Sequence, residues 1–588
     1  MLGILILLFA LSYVTALDTG PVQIIPSSHA LGSDGPWQTV NVSLGDPPQS
    51  VQLFPGGIFE SVILSNGICS NTSLPKPCGS GGLYDDSKSD TIDDTSIGFN
   101  SNNNVTSMDD GQTQTVGISM PIMDQLQIPR VGFSNWVVPN LSISLVNEIY
   151  TTLPDGTSYP VQVGNLALGS AINQSFTTDF GPSINASLIP GWFYEQGVTG
   201  NTYGLHIGSA AMGIPLSLWL GGYDRSRVLG PVSSQPCFQN RLRIDLLDVG
   251  IGVDNGASPF NFSSKRNILD QGNSSMGDST SVIINSLSPY LHLPKSTCDA
   301  IASYLPVTYR PKFQLYVWDV NDAAYGPIIT SPSFLSFTFR ASNLQQSNLT
   351  IKVPFQLLNL TLEAPISSKP TQYFPCRPPL AGGGYTLGRA FLQAAFVGVD
   401  WNSDTGSWSL AQAPGPNTAR TPQQEILTTT VSSSSNTWSD SWAGHWTPIE
   451  ETSSTINSTN ATASSGNTVS TESSAPKAGL TTGAKAGIGV GCGVVGALLI
   501  GIGLYLYRSH SHSRLASVSS SQQTASAMTS DDPSTIPLKG YYQPQAPQEQ
   551  TIAEAPGSEP VELTGAEQVA IELGNGQVAR QELGVNSR

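Results

Sequence analysis

The sequence predicts an all-β folded region made of two lobes, about residues 30–215 and 216–412, and three observations carry that prediction. Short runs alternate polar and apolar residues with a period of two, as in Thr39-Val40-Asn41-Val42-Ser43-Leu44, the pattern of a half-buried strand. Gly, Pro, Asn and Ser punctuate such runs throughout, the chain holding 58 Gly and 42 Pro in 588 residues. Helical periodicity is scarce. A region of this length also exceeds the roughly 250–300 residues that one core covers, which argues for two lobes.

Taken in order, residues 1–16 (MLGILILLFALSYVTA) form an apolar run ending in the small-residue pattern Val14-Thr15-Ala16, read as a cleaved signal peptide. The folded region is expected from Leu17 to Gln412. Asp46-Pro47-Pro48 closes the first alternating strand with a turn, and Val282-Ile283-Ile284 and Phe396-Val397-Gly398-Val399 read as further strands. The clearest helix spans Ser296 to Leu305, with Ser or Thr placed to cap it and Ile301 and Leu305 on one face. Residues 424–479 are Ser/Thr-rich and too poor in apolar surface to offset the entropy of ordering, so an extended, O-glycosylated stalk is expected. Ala486 to Leu506 is a charge-free apolar run of 21 residues, enough to cross ~30 Å of hydrocarbon as a helix. Residues 507–588 carry five basic against nine acidic side chains with few bulky residues, a disordered tail with a short helix near Glu562 to Leu573. A leading signal and one span place the N-terminal side outside and the tail in the cytoplasm, a single-pass protein of the plasma membrane or cell surface. Gly487-xxx-Gly491 and Gly489-xxx-Gly493 would let two spans pair weakly.

Composition narrows the function. Only 11% of the chain is charged, against roughly 25% on average. Its net charge of −17 repels phosphate backbones, which excludes nucleic-acid partners. An exterior address predicts glycans at the Asn-X-Ser/Thr acceptors Asn41, Asn71, Asn104, Asn140, Asn173, Asn185, Asn261, Asn273, Asn348, Asn359, Asn457 and Asn460, all before the span. With Cys492 inside the span, five cysteines face an oxidising exterior; we expect Cys69 with Cys78 and Cys298 with Cys376, leaving Cys237 over. No CxxC or His ligand spacing occurs, so neither a metal nor another cofactor is expected. No G-x-S-x-G elbow is present, and His206 and His292 lie in strand-like runs where a structural histidine is the commoner outcome.

Five segments, in order, resemble the pepsin-like aspartic peptidases (peptidase family A1), in particular the membrane-anchored forms of fungi. Pro36 to Val40 with Leu44-Gly45-Asp46-Pro47-Pro48-Gln49 is similar to the family's opening hairpin, and Gly82 to Ser89 to its F-D-P-S-x-S segment. Val163-Gly164-Asn165-Leu166-Ala167-Leu168-Gly169 resembles the G-I-L-G-L-G segment. Leu218-Trp219-Leu220-Gly221-Gly222-Tyr223-Asp224-Arg225-Ser226-Arg227 resembles L-x-F-G-G-x-D-x-S-R, the most specific of the set. Leu387-Gly388-Arg389-Ala390-Phe391-Leu392 and Phe396 to Asp400 resemble the closing segment. The resemblance implies a bilobal fold enclosing a groove for an extended chain.

It does not imply the chemistry. These peptidases hydrolyse amides with two carboxylates, one per lobe, that share a proton and activate a water. Where the first D-T-G turn belongs, the sequence reads Val51-Gln52-Leu53-Phe54-Pro55-Gly56-Gly57, with Phe54 or Pro55 in the acid's place. Where the second belongs, Asn285 stands in, an amide of similar shape with no proton to exchange. Literal D-T-G strings at Asp18 and Asp404 lack the family context; the first precedes the opening hairpin and the second reads as a hairpin tip. The flap candidate Met108-Asp109-Asp110-Gly111 lacks the family's tyrosine, and Glu60, Asp109 and Asp110 read as solvated loop acids. The leading expectation is therefore a non-catalytic surface module for binding, adhesion or sensing, whose ligand is an extended polypeptide or a cell-wall component. The alternatives are an active aspartic-type endopeptidase acting at the cell surface and a structural cell-wall glycoprotein.

Overall fold

A computed structural model describes residues 19–450, apart from 74, 94–113, 171–174, 178–182, 274–275, 343–344, 380–382, 403–404 and 429. All of them belong to one compact unit, Met1–Thr459. The unit is mostly β-sheet with a few short helices, the fold class the alternating runs predict. The first of those runs is the strand Trp37–Leu44, whose core-facing residues Val40, Val42 and Leu44 are fully buried. It turns through Gly45-Asp46-Pro47-Pro48 into Gln49–Pro55.

Two sheets repeat one topological device. In the first, the order is Pro26–Leu31, Trp37–Leu44, Gln49–Pro55, Gly164–Leu166, Ser61–Leu64, Trp136–Thr152, Gln114–Ile128. In the second, it is Gln345–Pro354, Ser333–Ser342, Leu242–Val253, Thr280–Ile284, Tyr385–Leu387, Leu291–His292, Cys376–Arg377. Each places a late three-residue strand between two earlier ones. Gly164–Leu166 runs parallel to Gln49–Pro55 and antiparallel to Ser61–Leu64. Tyr385–Leu387 runs parallel to Thr280–Ile284 and antiparallel to Leu291–His292. The short run Val282-Ile283-Ile284 is a strand because it is buried between these partners, not because it alternates.

A third, six-stranded sheet takes Val22–Ile24, Ser217–Leu220, Thr202–His206, Ala395–Asp400, Ser407–Gln412 and Leu229–Pro236, drawing on the start, middle and end of the folded region. One contiguous apolar cluster runs through all three sheets, with Leu53 and Ile143 from the first, Phe337 and Leu349 from the second and Leu218 and Val399 from the third. Burial of this joint core, rather than of two separate ones, is what holds the strand ends of both repeats together.

The helix expected from Ser296 to Leu305 is Lys295–Ala302. It starts one residue earlier, behind Pro294, and no side chain caps it. Proline's fixed φ sets the entry in place of the expected Ser or Thr cap. The expected closing hairpin is present as Ala395–Asp400 against Ser407–Gln412, although Asp404 at its tip lies outside the described residues.

The largest correction concerns the stalk. Residues 424–450 are folded onto the unit instead of leaving it. Gln424–Ile426 pairs with Gly222–Asp224, Arg225 contacts Glu425 at 3.0 Å, and Leu427 and Val431 are buried against Tyr223 and Phe396. The helix Trp438–Trp442 follows, with Trp442 stacked on Trp446 at 5.1 Å and Ile449 bridged to Ala257. A Ser/Thr-rich average hides Trp438, Trp442 and Trp446, spaced every four residues, which supply enough apolar area to overcome the ordering entropy. Residues 451–479, the span at 486–506 and the tail at 507–588 lie outside the described residues, as do the signal peptide and the expected helix near Glu562. Among the described residues no helix is long and apolar enough to cross a membrane.

Candidate functional site at the junction of the two repeats

The two crossing motifs meet end to end. In the first, Pro55 pairs with Leu166 and the next amide, Gly56 N, donates to Leu166 O at 3.0 Å. In the second, Ile284 pairs with Leu387 and the next amide, Asn285 N, donates to Leu387 O at 3.2 Å. Register and hydrogen bonding thus make Gly56 the counterpart of Asn285. This corrects the reading that puts Phe54 or Pro55 there: the strand does not stop before Pro55, which is its last paired residue, so the counterpart comes two positions after Phe54.

The loops interlock at that point. Ser286 Oγ donates to Pro55 O at 2.7 Å, across the junction. Gly56 has φ +152°, and a Cβ placed on it would lie 2.1 Å from Ser286 Oγ and 3.1 Å from Leu287 Cδ2. A side chain there must push the Ser286 hydroxyl aside, from a backbone conformation that non-glycine residues rarely adopt. Asn285 turns its side chain inward to its own loop, Oδ1 accepting from Leu287 N at 2.9 Å, an Asx turn. Neither position carries an acid, and at Gly56 one would crowd Ser286.

Arg389 closes the junction from below. Only 6% exposed, it donates through Nη1 to Ser286 O at 3.0 Å and Leu287 O at 2.8 Å, with its guanidinium 4.2 Å over the Phe54 ring and 5.1 Å over Trp37. Asn165, 2% exposed, donates through Nδ2 to Gly56 O at 3.1 Å, while its Oδ1 has no hydrogen-bond partner among the described residues.

Two cavities of about 120 Å³ each flank the junction, and Leu287 lines both. The first lies between Phe54, Asn165, Tyr159, Tyr290, Ile366 and Arg389, with Asp34 at its edge. The second lies between Gly56, Ile58, Tyr203, Ile283, Asn285 and Trp401. Asp34 is the only carboxylate among the lining residues of the pair, and its Oδ1 is taken by Trp37 Nε1 at 2.8 Å. One engaged carboxylate cannot share a proton and a water as a dyad does. What remains is a largely apolar groove with a few placed polar groups, the composition of a binding site.

Of the other acids and nucleophiles weighed from the sequence, those described lie apart from these cavities. Glu60 follows the Gly56-Gly57 turn half-buried, and burial holds its carboxyl above the usual carboxylate range, but it lines neither cavity. Asp109 and Asp110 lie outside the described residues. Cys237 is a buried free thiol pushed up to about 12 by burial first and by Asp400 second, so it is not a thiolate at neutral pH. His206 is fully buried, with Nε2 against Gln393 O at 2.9 Å and Nδ1 against Arg227 Nη1 at 3.4 Å. His292 is likewise buried beside Tyr290. Among the described residues, no group of three or more His, Cys, Asp or Glu side chains is placed to hold a metal.

The disulfides Cys69–Cys78 and Cys298–Cys376 are both present. Of the glycan acceptors, Asn71, Asn140, Asn261 and Asn348 are exposed, and Asn41 and Asn273 are partly so. Asn359 is occupied otherwise, its Nδ2 donating to Tyr325 OH at 2.9 Å. The side chains of Asn104, Asn173, Asn185, Asn457 and Asn460 are outside the described set.

Gly56, Asn165 and Arg389 escape a reading of the sequence by motif. Arg389 follows the Leu387-Gly388 pair at a place no motif reads, Asn165 is a polar residue inside an otherwise apolar segment, and the only local hint of Gly56 is the Gly-Gly pair directly after an apolar strand. Comparison of the chain with protein-family models and with curated proteins finds no match.

Proposed function

We propose that this chain is a catalytically silent, bilobal, pepsin-like surface glycoprotein that binds an extended ligand in the groove between its lobes. The observation that carries the reading is Gly56. The position opposite Asn285 carries no acid, and a side chain there would have to push aside Ser286 Oγ, 2.1 Å from where its Cβ would be, on a backbone at φ +152°. The paired crossing motifs support a bilobal scaffold related to the pepsin-like peptidases, and the two apolar cavities around Leu287 support a retained groove. Such a groove takes an extended polypeptide by backbone pairing and side-chain burial. In this reading residues 451–479 form the stalk and residues 486–506 the membrane anchor.

The test incubates the full-length chain with a diverse peptide library from pH 3 to pH 7, with a statine-type aspartic-peptidase inhibitor as control, and reads new termini and retained peptides by mass spectrometry. The expected result is retention without inhibitor-sensitive cleavage, weakened in a Leu287→Trp variant that adds bulk to the wall the two cavities share. Inhibitor-sensitive cleavage would overturn the proposal.

A further inference from the structure

Away from the groove, the hairpin turn between the strands Gln114–Ile128 and Trp136–Thr152 builds a second site. The Arg130 guanidinium is held between two rings, 4.7 Å over Phe133 and 4.2 Å over Trp136, and Trp136 is braced edge-on against Phe193 at 5.3 Å. Phe133 is 69% exposed and Val131 84%, so costly apolar area is presented to solvent on a fixed framework. Beneath the turn lies a cavity of about 410 Å³, more than three times the volume of either groove cavity and within the ~300–1,000 Å³ range of ligand sites. Phe133, Trp136 and Trp219 supply ring surface in its wall, and Gln23, Gln424 and Arg130 supply hydrogen-bonding groups. Trp219 is 7% exposed and its Nε1 has no hydrogen-bond partner among the described residues.

We propose that this cavity binds a neutral oligosaccharide. The C–H face of a pyranose packs on the electron-rich face of an aromatic ring, and its hydroxyls both donate and accept, so rings alternating with amides and one guanidinium match it. Among the described residues no carboxylate lines the cavity, and the one cation among them, Arg130, is spread over two rings, so neither a cationic nor a polyanionic ligand is selected. An extended peptide is disfavoured at the same place. The edge strand it would have to extend, Val22–Ile24, is only 3 residues long and is flanked by Pro21 and Pro26, which cut off pairing on both sides. The site involves none of the groove residues, so it stands or falls independently of the groove.

The test titrates the purified full-length chain with four neutral pentasaccharides, of β-1,3-glucan, β-1,4-glucan, chitin and mannan type, by calorimetry. At least one is expected to bind. Phe133→Ala, an exposed substitution that leaves the fold intact, and Trp219→Phe, which keeps the ring but removes the donor, are each expected to weaken that binding about tenfold, or ~1.4 kcal/mol. Absence of binding by all four sugars, binding unchanged in both variants, or retention of peptides instead of sugars at this wall would overturn the proposal.

Discussion

An aspartate introduced at Gly56 probes whether the junction could hold a carboxylate dyad. The added Cβ meets Ser286 Oγ at 2.1 Å and Leu287 Cδ2 at 3.1 Å, from a backbone at φ +152°. Three costs follow. A non-glycine residue in that region costs about 1–3 kcal/mol. Overpacking costs about 1–3 kcal/mol. Pushing Ser286 aside also removes its hydrogen bond to Pro55 O, about 1 kcal/mol. The total is about 3–7 kcal/mol, and at roughly 2 °C per kcal/mol for a large domain the melting midpoint should fall by about 6–14 °C. Differential scanning fluorimetry of the full chain measures it. Because the clash is with one oxygen, Gly56→Ala and Ser286→Ala should couple: the double variant should be more stable than the sum of the single effects predicts by about 1 kcal/mol or more. Gly56→Asp combined with Asn285→Asp should still cut no peptide at pH 3 to 5. A Gly56→Asp variant that melts within 2 °C of the parent, or a double acid variant that gains inhibitor-sensitive cleavage, would refute the steric argument.

Acid should weaken the fold. His206 and His292 are held down to about 3, by burial first and by the charges of Arg227 and Arg377 second, whereas both sit near 6.5 when unfolded. As pH falls below 6.5 the unfolded chain takes up protons that the folded chain refuses, so stability drops down to about pH 3, by up to about 1.4 kcal/mol per pH unit for each histidine. Glu60 and Asp248, which burial shifts upward, oppose this in part. A melting midpoint that rises on acidification from pH 6.5 to 4 would count against it. Trp442→Ala should cost about 3–5 kcal/mol, because the ring is 1% exposed and stacked on Trp446, and should open residues 424–450 to limited proteolysis while the core strands resist. Replacing both members of Cys298–Cys376, 78 residues apart, should destabilise by about 4 kcal/mol, against about 3 kcal/mol for Cys69–Cys78, 9 apart; the reverse order in denaturant titration contradicts the loop-closure account. Arg227→Met should cost about 3–5 kcal/mol in the same titration, since Asp224, 2% exposed and 3.3 Å from Arg227, is left buried without its cation.

Patterns that live within a few residues were legible without coordinates. The period-two strand at Trp37–Leu44, the closing hairpin, the Lys295–Ala302 helix and the absence of an acid at Asn285 each follow from side chains that are neighbours in the chain. Of the cysteine pairs, Cys69–Cys78 belongs with them as a short loop, whereas Cys298–Cys376 joins positions 78 apart. Everything that depends on which strand lies beside which had to come from the tertiary structure. The counterpart of Asn285 is Gly56 because Pro55 pairs with Leu166 and Ile284 with Leu387, a register set by partners 111 and 103 positions away. Residues 424–450 fold because their three tryptophans find Phe334, Gly415 and each other, contacts that composition cannot register. The crowding at Gly56 is the clearest case. A glycine in sequence is compatible with an open turn or a crowded one, and only the approach of Ser286 from the other repeat made it crowded.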